Sequence, residues 1–381
     1  MLSRTPTIET SSGMKTKPIR NILVPVDFSE LSVVAIDQAK RLAERFDAVI
    51  HLTHIHEFYY PSGLVAPTMP LLPFSIVDYE KDMEKKMREQ LRALAVRQGL
   101  HAAAYHVGVG TPTYSDICLL AKEIPADLIV MPTHGYTGLK HILLGSTTER
   151  VVQHANCPVF VVRKSDSARN GIQRILVPVD FSACSLAGLH YAIKFAHQFG
   201  AEILVQHVID FGPVYLPDNY GIYDLSKYRD LARKYAKDQM REFTRLADFG
   251  KVKFETAITV GSAAQEICLL AANRAVDLVL TSTHGRTGFK HVLIGSTAEK
   301  LVRQASCDVL VVPSHPDVRS ANLESSGAEL QKTANDLPKS SSTVETTKLT
   351  RRHRKQIANP FPERRRTNKF RESHLFHPCN N

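Results

Sequence analysis

The stretch Ile22-Leu23-Val24-Pro25-Val26-Asp27-Phe28-Ser29 returns, residue for residue, at positions 175–182. Its apolar start is typical of a buried strand, and the segment that follows, 30–46, has apolar residues at helical spacing. An Asp therefore ends a strand just before a helix begins, at two places in the chain. This recurrence indicates two copies of one α/β unit.

Three further matches support a duplication. Residues 133–135 return at 283–285, residues 145–147 return at 295–297, and the apolar ending 157–162 resembles 307–312. The offset is about 150 residues, which is the size of one domain. The sequence therefore predicts a duplicated domain and not a solenoid of short repeats.

Each copy alternates short apolar runs with amphipathic segments. In the first copy the pattern predicts strands at 21–27, 48–55, 101–107, 127–131 and 158–163, and helices at 30–46, 78–98, 112–123 and 147–155. Strands rich in Val, Ile and Leu that alternate with helices are typical of a parallel sheet covered on both faces. The expected fold class is α/β, with two doubly wound, Rossmann-like, five-stranded parallel-sheet domains.

The composition divides the chain into four parts. We expect a flexible N-terminus at 1–17, a first domain at 18–165, a second domain at 171–315 and a disordered basic tail at 316–381, with a short polar linker at 164–171. After Pro313 polar and charged residues dominate, and such a composition cannot bury enough apolar surface to order itself.

The net charge of +10 lies mainly in the tail: residues 351–381 carry +7 and residues 18–315 carry +2. A basic tail attracts any polyanion, but no aromatic platform or recognition fold accompanies it, so a specific nucleic-acid partner is not expected. No apolar run is long enough to cross a membrane and no secretory leader is recognisable, which predicts a cytoplasmic protein.

Two sequence features should meet at the carboxyl edge of each sheet, where open parallel sheets bind ligands. One is the Asp that ends the first strand, Asp27 or Asp180. The other is the stretch after the fourth strand, which runs from a His-Gly pair to a Gly-Ser-Thr that opens a helix. The N–H groups and positive dipole of that helix end, at Ser146-Thr147 and Ser296-Thr297, favour an anion.

A purely structural interpretation of these residues stays open at this point. Ser146 to Glu149, and the matching 296–299, have the S/T-x-x-E pattern of a capping box. Ser29 is equally suited to be the N-cap of the first helix.

The combination of Val-Pro-Val-Asp-Phe-Ser with Thr-His-Gly-x2-Gly-x6-Gly-Ser resembles the universal stress protein family over residues 18–315, in two full copies. The resemblance implies a strand order of 3-2-1-4-5 and pairing of domains through their last strands. That pairing would occur within one chain or in a homodimer.

In the ATP-binding members of the family, the ligand contacts map onto residues of both copies. At the adenine end they are Asp27, Ile55, Asp180 and Val208. In the phosphate loop they are Gly135, Gly145, Ser146, Gly285, Gly295 and Ser296. The loop's first glycine is replaced here by Pro132 and Ser282.

The resemblance implies a tandem universal stress protein that binds or senses ATP, with or without Mg²⁺, in a stress response. No Walker, HExxH or GxSxG motif occurs. We expect no catalytic residues, because the sequence offers no positioned base or Mg²⁺-binding carboxylate pair beyond Asp27 and Asp180. Slow ATP hydrolysis or self-phosphorylation, and a ligand-free interaction module, remain the alternatives.

Other residues invite weaker hypotheses. His51, His54 and His56 lie on one predicted strand, but only His54 and His56 share a face, so no metal site is expected. Four of the six cysteines lie in apolar runs at matching positions of the two copies and are expected to be buried, reduced thiols: Cys118, Cys157, Cys268 and Cys307. The aromatic segments 57–76 and 211–223 are predicted either to cover the adenine or merely to connect elements.

Overall fold

The computed structural model describes residues 19–57, 76–100, 103–110, 112–133, 144–163, 171–211, 225–283 and 294–313. The predicted N-terminal segment, basic tail and linker centre lie outside these residues, as do most of the two aromatic segments.

The first repeat alternates strands and helices as β1 (Asn21–Pro25), α1 (Glu30–Phe46), β2 (Val49–His56), α2 (Ile76–Arg97), β3 (Ala103–Val109), α3 (Thr113–Glu123), β4 (Leu128–Pro132), α4 (Ser146–His154) and β5 (Val159–Val162). The predicted elements of this repeat lie within about two residues of these bounds.

The second repeat has the same order: β6 (Arg174–Pro178), α5 (Ala183–Phe199), β7 (Glu202–Ile209), α6 (Leu225–Arg245), β8 (Phe254–Val260), α7 (Ala263–Asn273), β9 (Leu278–Ser282), α8 (Ser296–Gln304) and β10 (Asp308–Val312). Among the described residues, no helix is long and apolar enough to span a membrane.

The ten strands form one sheet in the order β3-β2-β1-β4-β5-β10-β9-β6-β7-β8. Each half has the order 3-2-1-4-5 with parallel neighbours. The predicted fold class and strand order are therefore confirmed. At the centre, β5 and β10 are antiparallel, with Phe160 opposite Leu310.

Strand alternation creates one hydrophobic core on each face of the sheet. Ile22 and Val24 of β1 belong to one core, together with residues of α1, α2, α5 and α6, while Leu23 faces the other core, with residues of α3, α4, α7 and α8. All five residues of β4 are buried, because helices cover both faces of this central strand. The rigid sheet thus fixes where each strand ends, and therefore where the loops meet.

Candidate functional site

Two pockets of similar size, about 270 and 290 Å³, lie at equivalent places, where β1 and β4, or β6 and β9, end. The structure brings to them most of the predicted ligand residues, namely Asp27, Ile55, Gly145, Ser146 and Thr147 in the first repeat and Asp180, Val208, Gly295, Ser296 and Thr297 in the second. The predicted Gly135 and Gly285 lie outside the described residues.

The Asp27 carboxylate is positioned by the start of α1. Its Oδ1 accepts hydrogen bonds from the Ser29 backbone N–H at 3.0 Å and from the Ser32 hydroxyl. Ser29 is the N-cap of α1, as the sequence predicts, because its hydroxyl accepts from the Ser32 N–H at 3.2 Å. Strand end, carboxylate and helix start therefore form one hydrogen-bonded unit.

Asp180 occupies the same position in the second repeat with one changed contact. Its Oδ1 accepts from both the backbone N–H and the hydroxyl of Ser182, at 3.1 and 2.6 Å. The Ser185 hydroxyl turns instead to the Ser182 carbonyl, at 2.9 Å. Both repeats thus hold an ordered carboxyl group at the pocket, through different hydroxyl donors.

A histidine on the neighbouring strand fixes each of these strand ends. His54 Nδ1 donates to the Val26 carbonyl at 2.7 Å, and His207 Nδ1 donates to the Val179 carbonyl at 2.9 Å. Burial is the largest effect on His54 and lowers its pKa, against the opposing effects of the Val26 bond and Asp27. The imidazole is therefore neutral at physiological pH, with its hydrogen on Nδ1.

Phe28 and Phe181 complete this arrangement. They adopt left-handed backbone conformations, with φ of 62° and 63°, which are uncommon for a bulky residue. Their rings contact His54 and His207, with centroids 4.7 and 4.2 Å apart. His54 and His207 recur at matching positions of the two repeats, and this recurrence was the sequence signal for a structural role at the site.

The opposite wall of each pocket is the first turn of α4 or α8. Gly145 and Gly295 are the N-cap residues, and neither helix start has a side-chain cap hydrogen bond. The capping-box prediction, with Ser146 and Ser296 as caps, is therefore wrong. The Gly145 carbonyl accepts from the Glu149 N–H at 2.9 Å, so the helix begins one residue earlier than the S-x-x-E pattern requires.

In each repeat, the residues that flank the connection from β4 to α4, or from β9 to α8, are hydrogen-bonded to each other. The N–H of Gly145 donates to the Thr133 carbonyl at 2.8 Å, and Gly295 donates to Thr283 at 2.6 Å. A Cβ atom at Gly295 would lie only 3.2 Å from the Thr283 carbonyl oxygen, which explains the glycine. This backbone hydrogen bond holds the amino end of α4 or α8 against the carboxyl end of the sheet.

The electrostatics of both pockets favour a ligand with a phosphate end. Backbone N–H groups of a helix start form one wall, and such groups bind anions. The described lining residues of either pocket include no Lys or Arg. Any phosphate there would be held, among these residues, by backbone N–H groups and hydroxyls.

Within the described ranges, the other candidate residues do not come together as a metal or thiol site. The described residues contain no group of three or more metal-ligating side chains, and His51 instead contacts His106, with Nδ1 and Nε2 3.1 Å apart. Burial raises the pKa of Cys118 to about 11 and that of Cys157 and Cys307 to about 12. Such thiols stay protonated at neutral pH and are poor nucleophiles.

Comparison with known proteins matches both repeats to the same family. The family model described as "Universal stress protein family" matches residues 18–163 and 171–313. A universal stress protein of Methanocaldococcus jannaschii is 34% identical over 148 residues, covering 38% of this chain and 85% of that protein.

Two longer relatives match this chain over about three quarters of its length. A universal stress protein of Mycolicibacterium smegmatis is 26% identical over 295 residues, which are 76% of this chain and 96% of that protein. The crystal structure of a universal stress protein from Archaeoglobus fulgidus superposes with a TM-score of 0.52 at 20% identity, covering 78% of this chain and 97% of that one. The last likeness concerns the fold alone.

Proposed function

Because the chain belongs to the universal stress protein family, we propose that it is a non-catalytic cytoplasmic protein that binds an adenine nucleotide, ATP in the first place, and acts in a stress response. One observation carries the proposal: in each repeat a positioned carboxylate faces the amino end of a helix across a single pocket. A nucleotide has a base that offers N–H donors and a phosphate tail that carries negative charge. The pocket offers the matching partner at each end.

In the proposed binding mode the base lies against the ends of β1 and β2, at Asp27 and Ile55, or at Asp180 and Val208. The phosphates lie at the helix starts, at Gly145, Ser146 and Thr147, or at Gly295, Ser296 and Thr297. Gly135 and Gly285 are proposed contacts of the same loops. ATP is the proposed ligand with or without Mg²⁺.

A non-catalytic role is proposed because the carboxylates that line the pockets already accept hydrogen bonds. In the first pocket these are Asp27, through Oδ1, and Glu57, through Oε1. Efficient transfer uses carboxylates that hold Mg²⁺ and a group that orients the nucleophile. Among the described residues that line the second pocket, the only carboxylate is that of Asp180, and its Oδ1 already accepts two hydrogen bonds.

Calorimetry with ATP tests the proposal. The unmodified protein should bind two equivalents, and Asp27→Ala or Asp180→Ala should each remove one of them. The matched control is Asp248→Ala, which changes a carboxylate that accepts from the Gly250 N–H in the turn before β8 and lines neither pocket. Absence of heat at millimolar ATP would favour a ligand-free interaction module, and steady release of phosphate would favour an enzyme.

We further propose that the chain functions with its two repeats paired through β5 and β10. The Arg163 N–H donates to Asp308 Oδ1 at 2.8 Å, and its guanidinium donates to the Val302 carbonyl at 2.7 Å. Arg303 and Glu149 form a second bridge between the repeats, at 2.7 Å. The Arg163–Asp308 contact needs one residue from each repeat. The first repeat has Pro158 at the position of Asp308, and the second has Pro313 at the position of Arg163.

An engineered disulfide tests the pairing. Continuing the β5–β10 register places Arg163 opposite Cys307, at a Cα separation typical of antiparallel neighbours, about 4.5–5.5 Å, which a disulfide can span. Oxidised Arg163→Cys should therefore form a cross-link within one chain. Adding Cys307→Ser should abolish it, and a cross-link found between chains would show that a homodimer pairs these strands instead.

We keep the four-part division as a proposal: an N-terminal segment 1–17, domains at 18–165 and 171–315, and a basic tail at 316–381. The two matches of the family model, 18–163 and 171–313, support the domain limits.

A further inference from the structure

Thr53 and Gln206 occupy the same position in the two repeats, one residue before His54 and His207. Both side chains have no solvent exposure (0%), and each lines the pocket of its repeat. In the described part of the chain, Thr53 Oγ1 and Gln206 Oε1 have no hydrogen-bond partner. An unpaired buried polar atom is costly, and its recurrence beside both pockets indicates that a ligand supplies the missing partner.

The Gln206 amide has a fixed orientation. Its Nε2 donates to Thr259 Oγ1 at 3.0 Å and to the Glu266 carbonyl at 3.3 Å. The Glu266 carbonyl can only accept, so the amide nitrogen must lie on that side. The Oε1 atom is therefore held in place as a pure acceptor and can pair only with an N–H or O–H group.

Thr53 differs in what it can accept as a partner. A hydroxyl both donates and accepts, and its hydrogen rotates to suit the ligand. The first pocket therefore tolerates a donor or an acceptor at this place, whereas the second pocket tolerates only a donor.

Resting on the proposed function, we propose that Gln206 Oε1 accepts a hydrogen bond from the nucleoside part of the bound nucleotide, from its exocyclic amine or a ribose hydroxyl. This contact makes the second repeat the more selective of the two sites. The proposal assigns a specificity-determining role to Gln206 and a permissive role to Thr53.

Titrations with nucleotide analogues test the assignment one site at a time. Asp27→Ala leaves the second site and Asp180→Ala leaves the first. The probes are ATP, inosine triphosphate, which carries a carbonyl in place of the amine, and 2′-deoxy-ATP and 3′-deoxy-ATP, which each lack one hydroxyl. The second site should bind one analogue about 10- to 100-fold more weakly than ATP, because a buried acceptor is then left unpaired. The first site should bind that analogue at most about threefold more weakly than it binds ATP.

Two substitutions in the Asp27→Ala background complete the test. Gln206→Met should weaken ATP binding about tenfold and remove the difference in affinity between ATP and the analogue. Gln206→Thr introduces the residue of the first repeat, serves as the better-tolerated variant, and should give the permissive pattern of that repeat. Thr53→Val in the Asp180→Ala background is the matched control and should leave the first site unselective.

The outcomes separate this inference from the function on which it rests. If the unmodified protein binds no ATP, the proposed function fails. If ATP binds, but both Gln206 variants keep the affinity and the analogue ratios of the parent, only the role of Gln206 is overturned.

Discussion

At the residue scale, two serines at strand-to-helix connections have different roles. Ser29 caps α1 through its hydroxyl, whereas Ser146 lies one residue inside α4, after the N-cap Gly145. Both precede a helix in the sequence, and only the backbone geometry separates them. Stability measurements should therefore distinguish the two positions.

Ser29→Ala should lower the free energy of unfolding by about 1 kcal/mol, the usual cost of losing a side-chain cap. Ser146→Ala is the matched control and should change it by less than about 0.5 kcal/mol, because no cap hydrogen bond is lost. Urea denaturation followed by circular dichroism measures both. Equal losses would contradict the assignment of Gly145 as the N-cap.

The hydrogen-bond partners within the site could not be predicted from the sequence. Asp27 was predicted because it ends a strand, and strand ends follow from the apolar pattern, whereas Ile55 was implied by the family resemblance. The bond from His54 to the Val26 carbonyl depends on the register between β1 and β2. The unpaired Gln206 Oε1 depends on where Thr259 and Glu266 lie in space. Neither relation has a local sequence pattern.

At the element scale, secondary structure was predicted closely because the repeats have strong periodicity. Buried strands such as β4 are continuous apolar runs, and α1 shows buried residues at helical spacing. The start of α4 was misjudged by one residue, because a capping-box pattern and a glycine N-cap lie side by side there.

The pair of strands β2 and β3 carries a feature that the second repeat lacks. His51 contacts His106 on β3 and lies 3.3 Å from Asn21 Oδ1 through its other ring nitrogen. Burial is the largest cause that lowers the pKa of both histidines, followed by the effect of His106 on His51 and of Arg88 on His106. In the second repeat the position of His51 is Leu204.

This pair should make stability depend on pH. Since the folded-state pKa lies below the ordinary value of about 6.5, the unfolded chain takes up protons first as the pH falls. The stabilising contribution is therefore complete above about pH 6.5 and is lost as the pH falls below it. Melting temperature should drop between pH 7 and pH 5, and His51→Leu should reduce that drop.

Thermal unfolding across this range, with the unmodified protein and His51→Leu side by side, gives the measurement. His190→Leu is a suitable control, since His190 is half-buried in the second repeat and its hydrogen bond with the Leu246 carbonyl is exposed. A pH slope that is the same in all three proteins would exclude the His51–His106 pair as its source.

At the scale of the whole molecule, both five-strand halves are complete at Val312, the end of β10. Removal of residues 316–381 should therefore leave the melting temperature within about 2 °C of the full chain, which corresponds to less than about 1 kcal/mol. A shorter protein that ends at residue 307 is the control and should unfold, because it lacks β10, which pairs with both β5 and β9. A large loss of stability in the first truncation would show that the tail belongs to the structure.

The two repeats of one molecule also differ at the ends of β4 and β9, where the family's phosphate loop begins. Thr133 and Thr283 donate their N–H groups toward β5 and β10. Because successive residues of a strand direct their N–H groups to opposite sides, the N–H of Ser282 is directed to the β6 side. The second pocket lies there. Pro132, at the matching position of the first repeat, has no N–H group.

We therefore predict that the second repeat binds ATP more tightly than the first. A charge-assisted hydrogen bond contributes about 1.5–3 kcal/mol, or one to two decades in affinity. Pro132→Ser in the Asp180→Ala background should tighten the first site, and Ser282→Pro in the Asp27→Ala background should weaken the second by a similar factor. Calorimetry on the two double variants and their two single-variant parents measures both changes in affinity. Should Pro132→Ser leave the affinity unchanged, or should the first site prove the tighter one, the backbone N–H at this position does not hold the phosphate.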